Sequence, residues 1–143
     1  MKPKILFILH LPPPIHGAAM MGKYIQESEL VNSSFDCFCI NLATAGSLSD
    51  IGHISLKKLL KYFFLLKHIS HVVREIRPEL VYITPNAGGK AFFKDFIVVQ
   101  MLKSMGCKVI AHYHNKGVSV YQSKWVYNFF YKRFFSNLKV ILL

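Results

Sequence analysis

The chain has 143 residues, which suits one domain and is too short for two complete catalytic domains. Hydrophobic residues make up 52% of the sequence and charged residues 17%, so there are enough apolar side chains for a core, and a disordered chain is excluded. Lysine and arginine outnumber the acids by 18 to 7, and the net charge of +11 favours an anionic partner: a membrane surface, a phosphate-bearing ligand or a nucleic acid.

The N-terminal segment predicts a strand, a glycine-bearing loop and a helix. Residues 4–10 (KILFILH) form a short apolar run, typical of a strand buried on both faces, and the prolines at 12–14 end it. The apolar run is too short for a signal peptide, and no stretch of the chain is long enough to cross a bilayer. Good helix formers follow Gly17 and continue to about Ser28, so a helix is expected there.

The rest of the chain continues the alternation of strands and helices. We predict strands at 35–42, 80–84, 108–112 and 139–143, helices at 55–77, 90–105 and 124–136, and loops at 43–52, 85–89 and 113–119. This order predicts an α/β fold in which a doubly wound parallel sheet carries helices on both faces. Because the sequence stops within a strand, we expect a longer architecture or a partner; a legitimate edge strand is the alternative.

Three loops are expected at the carboxyl ends of strands, where doubly wound sheets bind ligands. The first, LPPPIHGAAM, carries Gly17, whose missing Cβ would let a ligand approach the backbone. Its spacing matches neither the dinucleotide-binding nor the P-loop motif, and a tight turn without a ligand is the alternative. In the second loop Gly88 and Gly89 precede a helix.

The third loop brings together His112, His114, Asn115 and Lys116. No Cys, Asp or Glu lies nearby to complete a metal site, so we expect no metal, and hydrogen bonding to a polyhydroxylated or phosphorylated ligand is favoured. Alternatively, one histidine is a core residue and the other is solvated.

Only Asp50 of the seven acids falls in a predicted strand-end loop, which argues against hydrolase-type acid–base catalysis. The three cysteines have no disulfide spacing and fit a reducing cytosol.

The helix at 55–77 carries a basic, aromatic face. Apolar residues recur at intervals of three and four and predict the core stripe: Leu59, Phe63, Leu66, Ile69, Val73 and Ile76. The opposite face carries Lys57, Lys61 and His68 around Phe64, and Trp125 adds an aromatic ring further along the chain. An exposed Phe among cations is typical of a membrane-interfacial helix. An ordinary solvated face is the alternative, and no nucleic-acid recognition pattern is present.

Three stretches carry a resemblance to a known family: residues 12–20 (PPPIHGAAM), residues 81–84 with Asn86, Gly88 and Gly89, and residues 109–115 (VIAHYHN). Together they resemble the N-terminal half of a GT-B-fold glycosyltransferase of the group 1 (family 4) kind, the retaining enzymes that build bacterial polysaccharides and lipid-linked glycans. The resemblance implies that residues 1–143 form a single Rossmann-like domain. The second, donor-binding domain of the family has no counterpart here.

The resemblance also implies roles for individual residues. The loop that would approach the donor's phosphates consists of His16, Gly17 and Ala18. His114 would be the catalytic histidine that contacts the transferred sugar, with His112 as the alternative match. The residues that would bind the acceptor or sugar are Asn86, Gly88, Gly89, His112, Asn115 and Lys116.

The expected function is therefore the acceptor-side domain of a retaining, nucleotide-sugar-dependent glycosyltransferase, inactive alone and independent of metal or any other cofactor. Its expected partners are the nucleotide sugar, a glycan or lipid-linked acceptor, a separate donor-binding chain and an anionic membrane surface, but no nucleic acid. We expect it in the cytoplasm, peripheral on the inner face of the plasma membrane. The alternative is a non-catalytic peripheral membrane-binding or scaffold module.

Overall fold

The structure is a computed structural model that describes residues 1–13, 15–42, 56–114 and 117–142. Strands and helices alternate along most of the chain, as the apolar runs and helical periodicities predict. In chain order they are β1 (Lys4–Leu9), α1 (Gly17–Gln26), α2 (Glu29–Ser34), β2 (Asp36–Asn41), α3 (Leu56–Ile76), β3 (Leu80–Ile83), α4 (Gly89–Ser104), β4 (Val109–Tyr113), α5 (Gly117–Tyr121), α6 (Trp125–Phe135) and β5 (Lys139–Leu142).

The five strands form one parallel sheet in the order β2-β1-β3-β4-β5. The predicted α/β class and the parallel sheet are confirmed, and the architecture is compatible with a Rossmann-like fold. The chain adds β2 on one side of β1 and then crosses to the other side for β3. This reversal of strand order makes the carboxyl ends of β1 and β3 the topological switch point of the sheet.

Helices cover both faces of the sheet. On one face, Ile5, Phe7 and Leu9 of β1 pack against Ile25 of α1 and Val31 of α2. The larger core lies on the other face, beneath α3, α4 and α6, and its fully buried members include Leu6, Ile8, Ile69, Val81, Ile83, Phe92, Val98, Val99, Leu102, Tyr113 and Phe134. Successive residues of β1 therefore enter different cores, which explains why its sequence is continuously apolar rather than alternating.

Two short helices fall where none was predicted. The helix predicted to reach Ser28 ends at Gln26, and Ser28 instead caps α2, its Oγ accepting a hydrogen bond from the Val31 N–H at 3.4 Å. Helix α5 lies partly in the segment predicted as a loop. The predicted end of α4 is confirmed, because Gly106 follows it with a φ of 77°, a left-handed conformation that favours glycine.

The predicted core stripe of α3 is wrong in its first half. Leu59 and Phe63 are 60% and 51% exposed, and the buried residues of α3 are Tyr62, Ile69 and Val73. The helix has 21 residues and is about 31 Å long, whereas a strand of six residues spans only about 20 Å. The helix is thus longer than the strands it packs against, and its exposed apolar residues lie in its first turns.

Candidate functional site

The carboxyl ends of β1, β3 and β4 lie side by side on one edge of the sheet, because these neighbouring strands are parallel. Each end is followed by a polar side chain: His10 after β1, Thr84 and Asn86 after β3, and His114 after β4. The three predicted loops thus begin along one edge of the sheet.

A chain of hydrogen bonds joins the end of β1 to α4 at the switch point. The Asn86 side-chain nitrogen donates to Asp95 Oδ2 at 2.8 Å and lies 3.2 Å from His10 Nε2. The backbone N–H of Asn86 donates to the same oxygen of Asp95 at 2.7 Å. An ionised carboxylate can only accept hydrogen bonds, so the amide nitrogen of Asn86, and not its oxygen, must face Asp95. We call these three residues the Asp95–Asn86–His10 chain.

Burial governs the charges in this chain. Asp95 is only 2% exposed, and burial raises the pKa of its carboxyl to about 6, although the two hydrogen bonds from Asn86 oppose the shift. Burial also lowers the pKa of His10 to about 4, and the neighbouring His16 and Lys94 lower it further. At neutral pH the His10 imidazole is therefore uncharged, and Asp95 is mostly ionised.

The first loop contacts the Asp95–Asn86–His10 chain through the side chain of His16, which lies beside the His10 ring. His16 caps α1, its Nδ1 accepting a hydrogen bond from the Ala19 N–H at 3.3 Å, and its ring centroid lies 6.1 Å from that of His10. A Cβ on Gly17 would meet nothing within 4 Å, whereas a Cβ on Gly22 would lie 2.1 Å from the His10 carbonyl oxygen. Gly22 is therefore the residue that lets α1 approach the end of β1, and Gly17 and Ala18 begin the helix beside His16.

The second loop packs against two aromatic residues, Tyr121 and Tyr131. A Cβ on Gly88 would lie 2.1 Å from the Tyr121 ring, and the Tyr131 hydroxyl donates a hydrogen bond to the Ala87 carbonyl. Gly89 has a φ of 67°, and a Cβ there would meet nothing within 4 Å. Of the two glycines predicted to bind the acceptor, Gly88 thus packs against Tyr121, and Gly89 borders open space.

The end of β4 carries two imidazoles in close contact, with their ring planes tilted by 48°. The ring centroids of His112 and His114 are 4.1 Å apart, and His112 Nδ1 shares a hydrogen bond with the Tyr82 hydroxyl. Burial lowers the pKa of both histidines, and the neighbouring His114 ring lowers that of His112 further. Among the described residues, no protein group pairs with His112 Nε2, with either nitrogen of His114, or with the hydroxyls of Thr84 and Tyr113, although all five sites are buried. Buried polar atoms are nearly always hydrogen-bonded to protein or to ordered water, so the imidazole nitrogens of His112 and His114 retain hydrogen-bonding capacity for a water molecule or a polar ligand. Tyr113 belongs to the larger core on the other face of the sheet, so its hydroxyl does not share this place.

The predicted site residues therefore form two groups on adjacent strands. His16 and Asn86 are joined through His10 at the ends of β1 and β3, and His112 and His114 lie at the end of β4. The predicted site residues Asn115 and Lys116 lie outside the described residues. Within the part of the chain that the structure describes, no three His, Cys, Asp or Glu side chains come together to hold a metal ion.

Sequence reasoning missed Asp95 and His10. Asp95 is a lone carboxylate on the apolar side of α4, three residues after Phe92 and four before Val99, both of which are fully buried. An acid at core spacing in a helix is a signal that it has a specific partner. His10 directly follows a buried strand, which is the signal for a side chain at the sheet edge.

A second surface lies on the outer side of α3. Its exposed apolar residues, which we call the α3 ridge, are Leu56, Leu59, Leu60, Phe63 and Phe64. Lys57, Lys61 and His68 are exposed on the same helix, and Lys67 Nζ lies 4.9 Å above the Phe63 ring. Trp125, at the start of α6, is 81% exposed. None of the described helices combines the length and the apolar character needed to span a membrane.

Comparisons of the chain with protein-family models, with curated proteins and with solved structures gave no significant match. The glycosyltransferase resemblance therefore remains a prediction from the sequence.

Proposed function

We propose that the chain is the acceptor-side domain of a retaining glycosyltransferase that uses a nucleotide sugar. The observation that carries the proposal is the contact of His16, His10 and Asn86 at the switch point, on the edge that also holds His112 and His114. Doubly wound sheets bind ligands at this place, and imidazole and amide groups suit the hydroxyl and phosphate oxygens of a nucleotide sugar.

The chemistry of such a transferase agrees with the residues present. The acceptor hydroxyl attacks the anomeric carbon on the face from which the nucleoside diphosphate leaves, the bond from carbon to phosphate oxygen breaks, and the hydroxyl proton passes to the departing phosphate. Catalysis then depends on positioning the acceptor and stabilising the leaving phosphate, and no carboxylate pair is needed. Among the described residues, Asp95 is an acid that reaches the switch point, and the two hydrogen bonds from Asn86 give it a structural partner.

Isothermal titration with nucleotide sugars and with glycan or polyprenyl-phosphate acceptors tests the proposal. We expect binding to the wild-type chain that weakens about tenfold or more in His114→Ala, because the variant loses a hydrogen-bonding group in a buried site. His71→Ala, on the exposed side of α3, is the control and should bind like the wild type. Failure to bind any of these ligands, even with a donor-binding domain supplied in trans, would overturn the proposal.

The α3 ridge supports a second candidate, a module that binds the surface of an anionic phospholipid bilayer. Apolar residues on the first turns of α3 are exposed, and the exposed Lys57 and Lys61 lie among them in the sequence. This combination of an apolar stripe and cations is what a helix lying in the interface of a bilayer requires. The net charge of +11 complements an anionic leaflet, to which each nearby lysine contributes about 1 kcal/mol.

Vesicle co-sedimentation separates the two candidates. Binding to phosphatidylserine-containing vesicles should fall about thirtyfold when Lys57 and Lys61 are both replaced by Gln, because two lysine contributions of about 1 kcal/mol each are lost. Phe64→Ser should weaken binding as well, whereas Leu30→Ser, at a 77% exposed apolar residue of α2, should not. Equal binding by all variants, or no preference for anionic vesicles, would refute the membrane module, and His114→Ala should not affect this assay.

A further inference from the structure

Two histidines at the switch point each have one ring nitrogen engaged by the protein. His10 Nε2 faces the donor nitrogen of the Asn86 amide, and His16 Nδ1 accepts the Ala19 N–H. A neutral imidazole has one acceptor and one donor nitrogen, so the proton of each ring must be on the other nitrogen. His10 therefore carries it on Nδ1 and His16 on Nε2. No partner for either of these N–H groups occurs within the described residues.

Asp95 determines the orientation of the Asn86 amide, and the orientation of that amide determines the tautomer of His10. If the Asn86 amide were flipped, its oxygen would face His10, and His10 would carry its proton on Nε2 instead. The flip would also turn the Asn86 oxygen toward the Asp95 carboxylate, two acceptors facing each other in a buried place. The buried carboxylate thus excludes the flipped amide, and with it the other tautomer of His10.

We propose that Asp95 is a positioning residue that acts through Asn86: it holds His10 as the Nδ1–H tautomer, so that His10 and His16 present two N–H donors to a phosphoryl group at the N-terminus of α1. The phosphoryl ligand rests on the function proposed above, whereas the tautomer does not. The two rings lie edge to face with centroids 6.1 Å apart, and Gly17 leaves the adjacent backbone open. N–H donors and a helix N-terminus both favour a charged oxygen.

The same arrangement gives His10 a defined chemical role. Its low pKa keeps the ring uncharged at neutral pH, its Nε2 is occupied by Asn86, and its Nδ1 already bears a proton. His10 is therefore a hydrogen-bond donor and cannot serve as a general base. A proton taken from an acceptor hydroxyl must go elsewhere, in agreement with its transfer to the departing phosphate.

Nitrogen-15 NMR of the histidine side chains in the full chain, without ligand, tests the tautomer. We expect His10 to carry its proton on Nδ1 in the wild type and on Nε2, the form that free histidine favours in water, in Asn86→Ala and Asp95→Ala. Asp95→Asn should retain the wild-type form, because an amide oxygen can accept the same two bonds from Asn86. Asn128→Ala, at an exposed asparagine of α6, is the matched control. Protonation on Nε2 in the wild type, or an unchanged tautomer in Asn86→Ala, would overturn the proposal, and Asn86→Ala decides if Asp95→Ala does not fold.

Titration with pyrophosphate, followed by the same signals, tests the ligand. We expect the His10 and His16 signals to move together in the wild type, and the affinity to fall about tenfold in Asn86→Ala, through loss of a hydrogen bond to a charged group. Signals of both rings that stay in place would refute the phosphoryl site. Failure of the glycosyltransferase proposal would instead appear in the sugar titrations of His114→Ala, so the two failures are distinguishable.

Discussion

Asp95 and His10 make opposite contributions to the pH dependence of stability. His10 has a lower pKa in the folded chain than its ordinary 6.5, so below that pH the unfolded state takes up a proton that the folded state does not, and stability falls on acidification toward pH 4. Asp95 has a pKa raised from 3.8 to about 6, so the folded state takes up the extra proton between these values, and stability rises on acidification. Between pH 6 and pH 4 the two effects largely cancel.

Replacing Asp95 by Asn should expose the contribution of His10. Relative to the wild type, we expect the free energy of unfolding of Asp95→Asn to fall by about 2 kcal/mol more at pH 4.5 than at pH 7, since the compensating proton uptake is lost. Urea unfolding at the two pH values measures the difference. Asp36→Asn, at an exposed aspartate, should show no such difference, and a pH-independent effect of Asp95→Asn would contradict the compensation.

At the level of elements, Lys103 fastens α4 to the end of α6. Its ammonium donates to three backbone carbonyls, those of Arg133 at 3.0 Å, Phe134 at 2.6 Å and Ser136 at 2.5 Å. These carbonyls lie at the carboxyl end of a helix, where no intrahelical donor reaches them and a positive charge is favourable.

We expect Lys103→Met to lower the free energy of unfolding by about 1 to 3 kcal/mol, because it keeps the apolar stem and removes the three hydrogen bonds. Chemical denaturation of the variant measures this loss. Lys108→Met is the control, since the side chain of Lys108 is exposed and directly precedes β4. Equal stabilities of the two variants would show that the contact contributes nothing.

The sequence predicted correctly those strands and helices that have a single, clear pattern of apolar residues. β1, β3 and β4 are buried parallel strands, whose continuous apolar runs are distinctive. Helices α2 and α5, of six and five residues, are too short for a period to be recognised. In α3 two apolar stripes overlap, one through Tyr62, Ile69 and Val73 and one along the α3 ridge, and periodicity alone does not show which of them meets the sheet.

At the level of the whole molecule, the sheet is unequally protected. β1 and β3 are paired on both sides and carry fully buried Leu6, Ile8, Val81 and Ile83, whereas β5 is paired only with β4 and all its residues are exposed. We expect the amides of β1 and β3 to exchange with deuterium at least about a hundredfold more slowly than those of β5. Hydrogen exchange measured by NMR tests this, and uniform protection across the five strands would contradict it.

That the three predicted loops share one edge of the sheet was predictable at this level, whereas the hydrogen bonds and packing contacts of the candidate site were not. Parallel topology alone places His16, Asn86 and His114 on one edge. The link from Asn86 to Asp95 depends on where α4 turns its inner face, and the packing of Tyr121 on Gly88 depends on how α5 is placed. Contacts of this kind arise from tertiary packing, which no local pattern of residues records.

The aromatic contacts above the second loop have a mechanical consequence. The Tyr121 ring packs against Gly88, and the Tyr131 hydroxyl donates a hydrogen bond to the Ala87 carbonyl. The loop that follows β3 is therefore held by two residues that follow β4 in the chain. Because protein interiors are densely packed, a displacement of Ala87 or Gly88 has to be accommodated by these two aromatic rings. A ligand that settles against Gly89 should therefore also perturb the surroundings of Tyr121 and Tyr131, which follow β4 in the chain.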